Sequence, residues 1–350
     1  MTLKTRPPTG RVPWPLILIE GGEKSGKSWA CAVLSASPRV GQTYWIDLGE
    51  GSADEYGAIP GVRYCVVEHD GSFGAILASV VEIKAEAARA AEAGEPPVVL
   101  VIDSVTAEWE LLKDWAGERA RRRLASKGKR VPGADEEVQI SMDLWNDATA
   151  RHRRLMTLLI TFPGIVLLTA RGKDVAALDT AGRPIENTKE YKVEGQKSLA
   201  FDATLWLRLA RDARPTVIGA RSVHTGIRPG IDEPKKLDAD WSLEWLIFEA
   251  LRCDPATAHV RDLVNPNPIE PEPAPPGEMT EQRQKALHGA LREAELADRE
   301  KGLAYISEAI GRRVESTKEL TAAEFQKVMR KLDSYIRQNN PAVESEAAAA

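Results

Sequence analysis

The stretch Pro15-Leu16-Ile17-Leu18-Ile19-Glu20-Gly21-Gly22-Glu23-Lys24-Ser25-Gly26-Lys27-Ser28 limits what this chain can fold into more than any other part of it. Its first half is apolar and β-branched, as a buried strand is, and Trp29-Ala30-Cys31-Ala32-Val33-Leu34 continues as a helix. Between them stands Gly21-x-x-x-x-Gly26-Lys27-Ser28, the Walker A spacing in the strand–turn–helix context it requires. The glycines let the backbone wrap a phosphate chain without Cβ clashes. The N–H groups of the loop and of the helix N-terminus point at the anion. The pattern assigns phosphate and nucleotide contact to Gly21, Gly22, Glu23, Lys24, Ser25, Gly26, Lys27, Ser28 and Trp29. Lys27 is expected to reach the β/γ-phosphates, and Ser28 to offer its hydroxyl to Mg²⁺.

The rest of the chain extends this into an α/β core. Apolar runs at 16–20, 43–47, 63–68, 98–103 and 164–170 read as strands, and helical patterns at 27–36, 73–93, 105–126 and 140–161 separate most of them. Such alternation predicts a mostly parallel sheet covered on both faces. Further strands are expected at 190–194, 203–210 and 214–220, and a closing helix at 240–248. Prolines crowd the segment 254–278, which excludes helix and sheet and predicts an extended linker. Beyond it, helices are expected at 280–294, 298–310 and 321–338. Thr280 caps the first, and Thr321-x-x-Glu324 opens the last as a capping box. The expected organisation is therefore a flexible 1–11, a core over 12–252, a linker over 253–279, a helical module over 280–340 and a disordered tail over 341–350.

Composition sets the remaining bounds. The net charge of −5 means that nucleic-acid contact must come from local basic patches, not from the bulk field. Cys31, Cys65 and Cys253 lack metal or disulfide spacing and read as reduced thiols. No apolar run approaches the span of a bilayer, and the first residues lack the apolar centre of a signal peptide, so a cytoplasmic protein without membrane contact is expected.

The chemistry implied by the loop needs carboxylates. Asp103 ends the run Val98-Val99-Leu100-Val101-Ile102 and reads as a Walker B acid, holding Mg²⁺ with Ser28 from a strand beside that of the P-loop. Hydrolysis of ATP needs a group that positions water. Past the strand at 43–47, Glu50 is the first choice, Asp47 the second and Glu68 the third. Thr169, at the end of the fifth strand, is a candidate γ-phosphate sensor. Arg171, Lys173, Lys192 and Lys197 are candidate cations for a neighbour's site in an oligomer. A basic run at Arg119, Arg121, Arg122, Arg123, Lys127, Lys129 and Arg130 stands out against the acidic background. A long polar loop, 171–189, carries Lys173 and Arg183. Both read as phosphate-backbone contacts for nucleic acid.

With GGEKSGKS, WIDLGEG, VVLVIDSVT and GIVLLTARGK in place, the chain resembles the phage-type RecA-like ATPases, a minimal RecA-core family linked to single-strand annealing and recombination. The resemblance covers about 12–252. It implies a RecA-like P-loop NTPase fold, ATP and Mg²⁺ as ligands, a catalytic glutamate just past the second strand, a homo-oligomer, and single-stranded DNA held by the segments 119–130 and 171–189. It also implies the host cytoplasm as location. The module at 280–340 is similar to helical modules on phage recombination and annealing proteins, which implies a recombination or replication partner. A helicase-like motor or helicase loader on the same fold, and a nucleotide-gated interaction protein, are the alternatives.

Overall fold

The computed structural model describes residues 3, 5–49, 51–133, 136–179, 182–228, 231–263, 279, 281–294 and 296–339. Glu50, Thr280, most of the proline-rich linker and the expected disordered tail lie outside the described residues. The chain divides into two compact units, Met1–Leu263 and Val264–Ala350.

In the first unit the elements run β1 (Leu16–Gly21), α1 (Lys27–Ser35), β2 (Thr43–Asp47), α2 (Ala53–Tyr56), β3 (Tyr64–Val66), α3 (Phe73–Ala93), β4 (Val99–Asp103), α4 (Val105–Ser126) and α5 (Met142–Ile160). They continue with β5 (Ile165–Leu178), β6 (Pro184–Val193), α6 (Leu199–Asp202), β7 (Leu205–Leu209), β8 (Thr216–Ala220), β9 (Lys235–Lys236) and α7 (Leu243–Trp245), which passes into a π-helical turn, Leu246–Ala250. The expected α/β core is present, with boundaries within a few residues except at β5 and β6.

The sheet order is β3-β2-β4-β5-β1-β7-β8-β9, with β6 paired to β5 outside this path. The strands from β3 to β7 pair in parallel, and β8 and β9 add antiparallel edges. The pleat divides the core in two. Ile17, Ile19, Val99, Val101 and Leu167 face α1, whereas Leu16, Leu18, Leu100, Ile102 and Leu168 face α3 and α5. A strand buried on both faces must be apolar throughout, which is why β1 and β4 were legible as runs. Local chemistry sets the helix ends. The Ser72 and Ser104 hydroxyls cap α3 and α4 by accepting from the backbone N–H of Ala75 and Ala107, and Gly94 ends α3 in the left-handed region at φ 69°.

Two expectations are corrected. The strand of Asp103 does not lie beside that of the P-loop, because β5 is inserted between β4 and β1. The segment 171–189 is no long loop. β5 continues to Leu178 and returns as β6, pairing Gly172 with Val193 and Lys173 with Lys192. The turn between them is closed by Arg183 N–H donating to Asp179 Oδ1 at 2.8 Å, with Gly182 at φ 78°. The helix expected at 105–126 is present and carries most of the basic run: Arg119 to Arg123 occupy the last turns of α4, and 127–130 form a loop.

The second unit holds α8 (Glu281–Glu293), α9 (Arg299–Ile310) and α10 (Ala322–Asn339) around Leu287, Leu291, Ile306, Leu320, Val328 and Leu332. The capping box forms as expected: Thr321 N–H donates to Glu324 Oε2 at 2.9 Å, and Glu324 N–H to Thr321 Oγ1 at 3.3 Å. No described helix is long and apolar enough to cross a membrane.

Candidate functional site

Gly21 ends β1 in register with Arg171 of β5 and Leu209 of β7. The approach of β7 is so close that a Cβ on Gly21 would meet the Leu209 carbonyl oxygen at 2.2 Å and Ser25 Oγ at 2.7 Å. From there the backbone turns through left-handed Lys24 at φ 53° and Gly26 at φ 92°. Gly26 stands at the N-cap of α1 and supplies no side-chain cap, so the first N–H groups of the helix stay available to an anion. Lys27 folds back over the loop, and its Nζ donates to the Gly21 carbonyl at 3.1 Å and the Gly22 carbonyl at 2.9 Å. Ser25 Oγ is buried without a hydrogen-bond partner. An anion cradle has these features: converging donors, a cation and an unsatisfied hydroxyl.

The loop forms one wall of a cleft of about 340 Å³, faced by Ser52, Tyr56, Asp103, Ser104, Arg171 and Gly172. Asp103 is 1% exposed at the end of β4. The Thr169 hydroxyl donates to its Oδ1, and Ser52 Oγ donates to Oδ2 at 3.5 Å. The buried carboxylate is felt around it. Burial, and then the Asp103 charge, raise the Cys31 thiol well above its ordinary value, and the same two causes raise the Tyr56 phenol. Ser28 and Asp103 both line this cleft and offer oxygen donors. Among the described residues no cluster of three or more His, Cys, Asp or Glu could cage a metal. A hydroxyl and one carboxylate nonetheless suit Mg²⁺, which keeps most of its shell as water and phosphate oxygen.

No protein-family model matches this chain, and no curated protein matches it.

The expected site residues separate into two groups. Residues 21–28, Asp103 and Arg171 meet at the cleft, and Thr169 reaches it through Asp103. Trp29 does not line the cleft. Its ring is half-exposed on the outer face of α1, edge-on to Tyr56 with centroids 6.0 Å apart. Of the candidate water-positioning acids, Glu50 lies outside the described residues. Asp47 is committed to the following turn, accepting from Gly51 N–H at 3.0 Å and Ala53 N–H at 3.2 Å. Glu68 is exposed and does not line the cleft. Lys192 and Lys197 are exposed outside the cleft lining. Sequence reasoning missed Ser52, Tyr56 and Gly172. The Gly51-Ser52 turn after β2, followed by an aromatic one helical turn later, is the signal that would have found the first two.

Two projections adjoin the cleft. Leu112, Ala116 and Ala120 of α4 pack on Leu144 and Ala148 of α5 in a cluster that contains no strand residue, so the later turns of α4 and the first turns of α5 form a helical arm beyond the part of α5 that covers the sheet. The β5–β6 hairpin is the other. The basic run on the arm is partly neutralised. Arg122 pairs with Glu118 at 3.0 Å, Arg123 with Asp143 at 2.5 Å and Arg130 with Glu136 at 2.9 Å, while Arg121 donates to the Glu136 carbonyl at 3.0 Å. On the hairpin, Lys173 pairs with Glu194 at 2.6 Å, and Arg183 lies 4.0 Å from Asp179. Arg119, Lys127 and Lys129 are exposed, and none forms an ion pair among the described residues.

Proposed function

We propose that this protein is a RecA-like P-loop ATPase that binds single-stranded DNA and acts in recombination, annealing or repair. The observation that carries this reading is the convergence of Gly21–Ser28 and Asp103 on one cleft from β1 and β4, with β5 between them.

In this reading the loop N–H groups and Lys27 hold the triphosphate, Ser28 and Asp103 hold Mg²⁺, and Tyr56 offers an aromatic face at the cleft wall. Bound Mg²⁺ would neutralise charge that develops on the β- and γ-phosphates. Thr169 orients the Asp103 carboxylate by donating to its Oδ1. Glu50 remains the proposed water-positioning acid, since Asp47 is occupied by backbone donors. Arg171 sits at the cleft, 3.9 Å from Glu110, and is the proposed sensing cation. Lys192 and Lys197 are proposed to serve a neighbouring subunit in a homo-oligomer. DNA contact is assigned first to Arg119, Lys127 and Lys129, which form no ion pair among the described residues.

A nucleotide-gated interaction protein is the second reading. The helical unit favours it, because a unit that packs around a core of its own could recruit a partner independently of the nucleotide cleft. One experiment separates the two: ATP turnover with and without single-stranded DNA, across a salt series, in the full chain and in a chain lacking 279–350. DNA-stimulated turnover that weakens with salt is expected, and Lys27→Ala should lower turnover by at least ~10²-fold by removing the cation at the phosphates. Turnover in wild type that DNA leaves unchanged would overturn the first reading. Normal turnover in Lys27→Ala would overturn the site.

A further inference from the structure

The cleft, the helical arm and the β-hairpin meet at one buried side chain that none of the roles above uses. Thr106, in the first turn of α4, is 2% exposed. Its Oγ1 accepts from the backbone N–H of Arg171 at 2.9 Å and donates to the backbone carbonyl of Glu194 at 2.6 Å. Arg171 is where β5 leaves its pairing with β1 and enters the hairpin, and Glu194 follows the last residue of β6. Glu194 N–H in turn donates to the Arg171 carbonyl at 2.8 Å. One turn further along α4, Glu110 lies 3.9 Å from the Arg171 guanidinium, and the Glu194 carboxylate holds Lys173 at 2.6 Å. One hydroxyl thus joins the helix that follows Asp103 to both strands of the hairpin at its base.

We propose that Thr106 is a positioning residue that couples the β5–β6 hairpin and the α4–α5 arm to the nucleotide cleft, so that a strand bound across the two projections sets the position of Arg171. This rests on the ATPase reading above. A hydroxyl is needed because the two groups it bridges are a donor and an acceptor of the main chain, and only a group with both capacities serves both. The β-branched methyl alone would fill the space and hold neither. Arg171 lines the cleft, its backbone N–H is held by this bond and its carbonyl accepts from Glu194 N–H, so motion at the hairpin base is passed to the cleft.

The test compares Thr106→Val, which keeps shape and loses the hydroxyl, with Thr106→Ser, which keeps the hydroxyl. Ile76→Val, a core change in α3, serves as a control for general destabilisation. ATP turnover is measured with and without single-stranded DNA, and amide exchange is followed at 171–178 and 184–194. In Thr106→Val the DNA-stimulated kcat is expected to fall at least ~10-fold while KM for ATP stays within ~3-fold, because the phosphate cradle is untouched. Exchange at the hairpin base should rise at least ~10-fold, as expected when a buried bond pair is lost. Thr106→Ser should restore both, and Ile76→Val should change neither ratio. Equal stimulation in Thr106→Val and wild type would overturn the proposal, as would equal loss in the Val and Ser variants. If wild type shows no DNA-stimulated turnover, the ATPase reading fails. The exchange comparison then still decides whether Thr106 holds the hairpin: unchanged exchange in Thr106→Val refutes that too.

Discussion

Gly21→Ala and Gly22→Ala make the same chemical change at adjacent residues and should have opposite consequences. At Gly22 an added Cβ meets nothing within 4 Å, and the residue is exposed. At Gly21 it would sit 2.2 Å from the Leu209 carbonyl oxygen, where contacts below 3.0 Å are essentially never seen. The obstacle is backbone of a paired strand, so no side chain can swing aside. Either β7 or the start of the loop must move by at least ~0.8 Å, and overpacking of this kind costs ~1–3 kcal/mol. In a unit of this size that lowers Tm by ~2–12 °C, whereas Gly22→Ala should stay within ~2 °C of wild type. Scanning unfolding without nucleotide keeps ligand binding out of the comparison. If the loop takes up the shift, the phosphate donors are displaced by a similar distance, and turnover of ATP should fall by ~10²-fold in Gly21→Ala. A Gly21→Ala protein with wild-type Tm and turnover would refute the close approach of β7. An equal loss of Tm in both variants would show that the loop tolerates no side chain, whatever its neighbours.

Two further outcomes follow from charge and burial. Burial raises the Cys253 thiol from 9.0 to about 12, with the Asp254 carboxylate adding to it. Between those values the unfolded chain has lost this proton and the folded chain keeps it, so stability should decline as pH rises through that window. Cys253→Ala should flatten the decline in alkaline denaturant titrations, and an unchanged slope would count against it. In the helical unit, hydrogen bonds from Arg312, and then from the Thr321 N–H, hold the Glu324 carboxyl at about 2, down from 4.5. Its contribution is present above 4.5 and lost as pH falls towards 2. Amide exchange over 299–336 in the full chain, corrected for intrinsic rates, should therefore accelerate through that window in wild type and show less pH dependence in Glu324→Gln.

Where the sequence was legible, burial made it so. β1 and β4 must be apolar on both faces, and the caps at Ser72, Ser104 and Thr321 are local chemistry, so the strands, the helices and their starts were readable. The hairpin was misread for the opposite reason. Past Arg171 the strand pairs only with β6, and positions such as Arg171 and Lys173 are exposed, so its period of two has no apolar phase to reveal it. The neighbour of β4 was misplaced because strand order depends on which crossover is taken, and no residue of the strand itself records that. The basic run seemed unbalanced because two of its carboxylate partners, Glu136 and Asp143, lie beyond it in sequence.

The groups proposed to act on the nucleotide already have partners. Lys27 is bonded to two loop carbonyls, and Asp103 accepts from Thr169 and Ser52. A triphosphate must take Lys27 from those carbonyls, and Mg²⁺ must share Asp103 with its hydroxyl donors. The net gain from each contact is then a difference between two hydrogen-bonded states and not a full charge-assisted bond. Ser25 Oγ is the exception. It is buried and unpartnered, so a phosphate oxygen that reaches it adds a bond without breaking one. The same arrangement favours stability before ligand arrives, since an unpaired ammonium or carboxylate at this depth would weigh against the fold. In the proposed ATPase reading the cleft is thus stable without nucleotide and reorganises when nucleotide enters. One of the groups that must reorganise, Asp103, is joined to β5 through Thr169, and α4, which follows it, is joined to the base of the hairpin through Thr106.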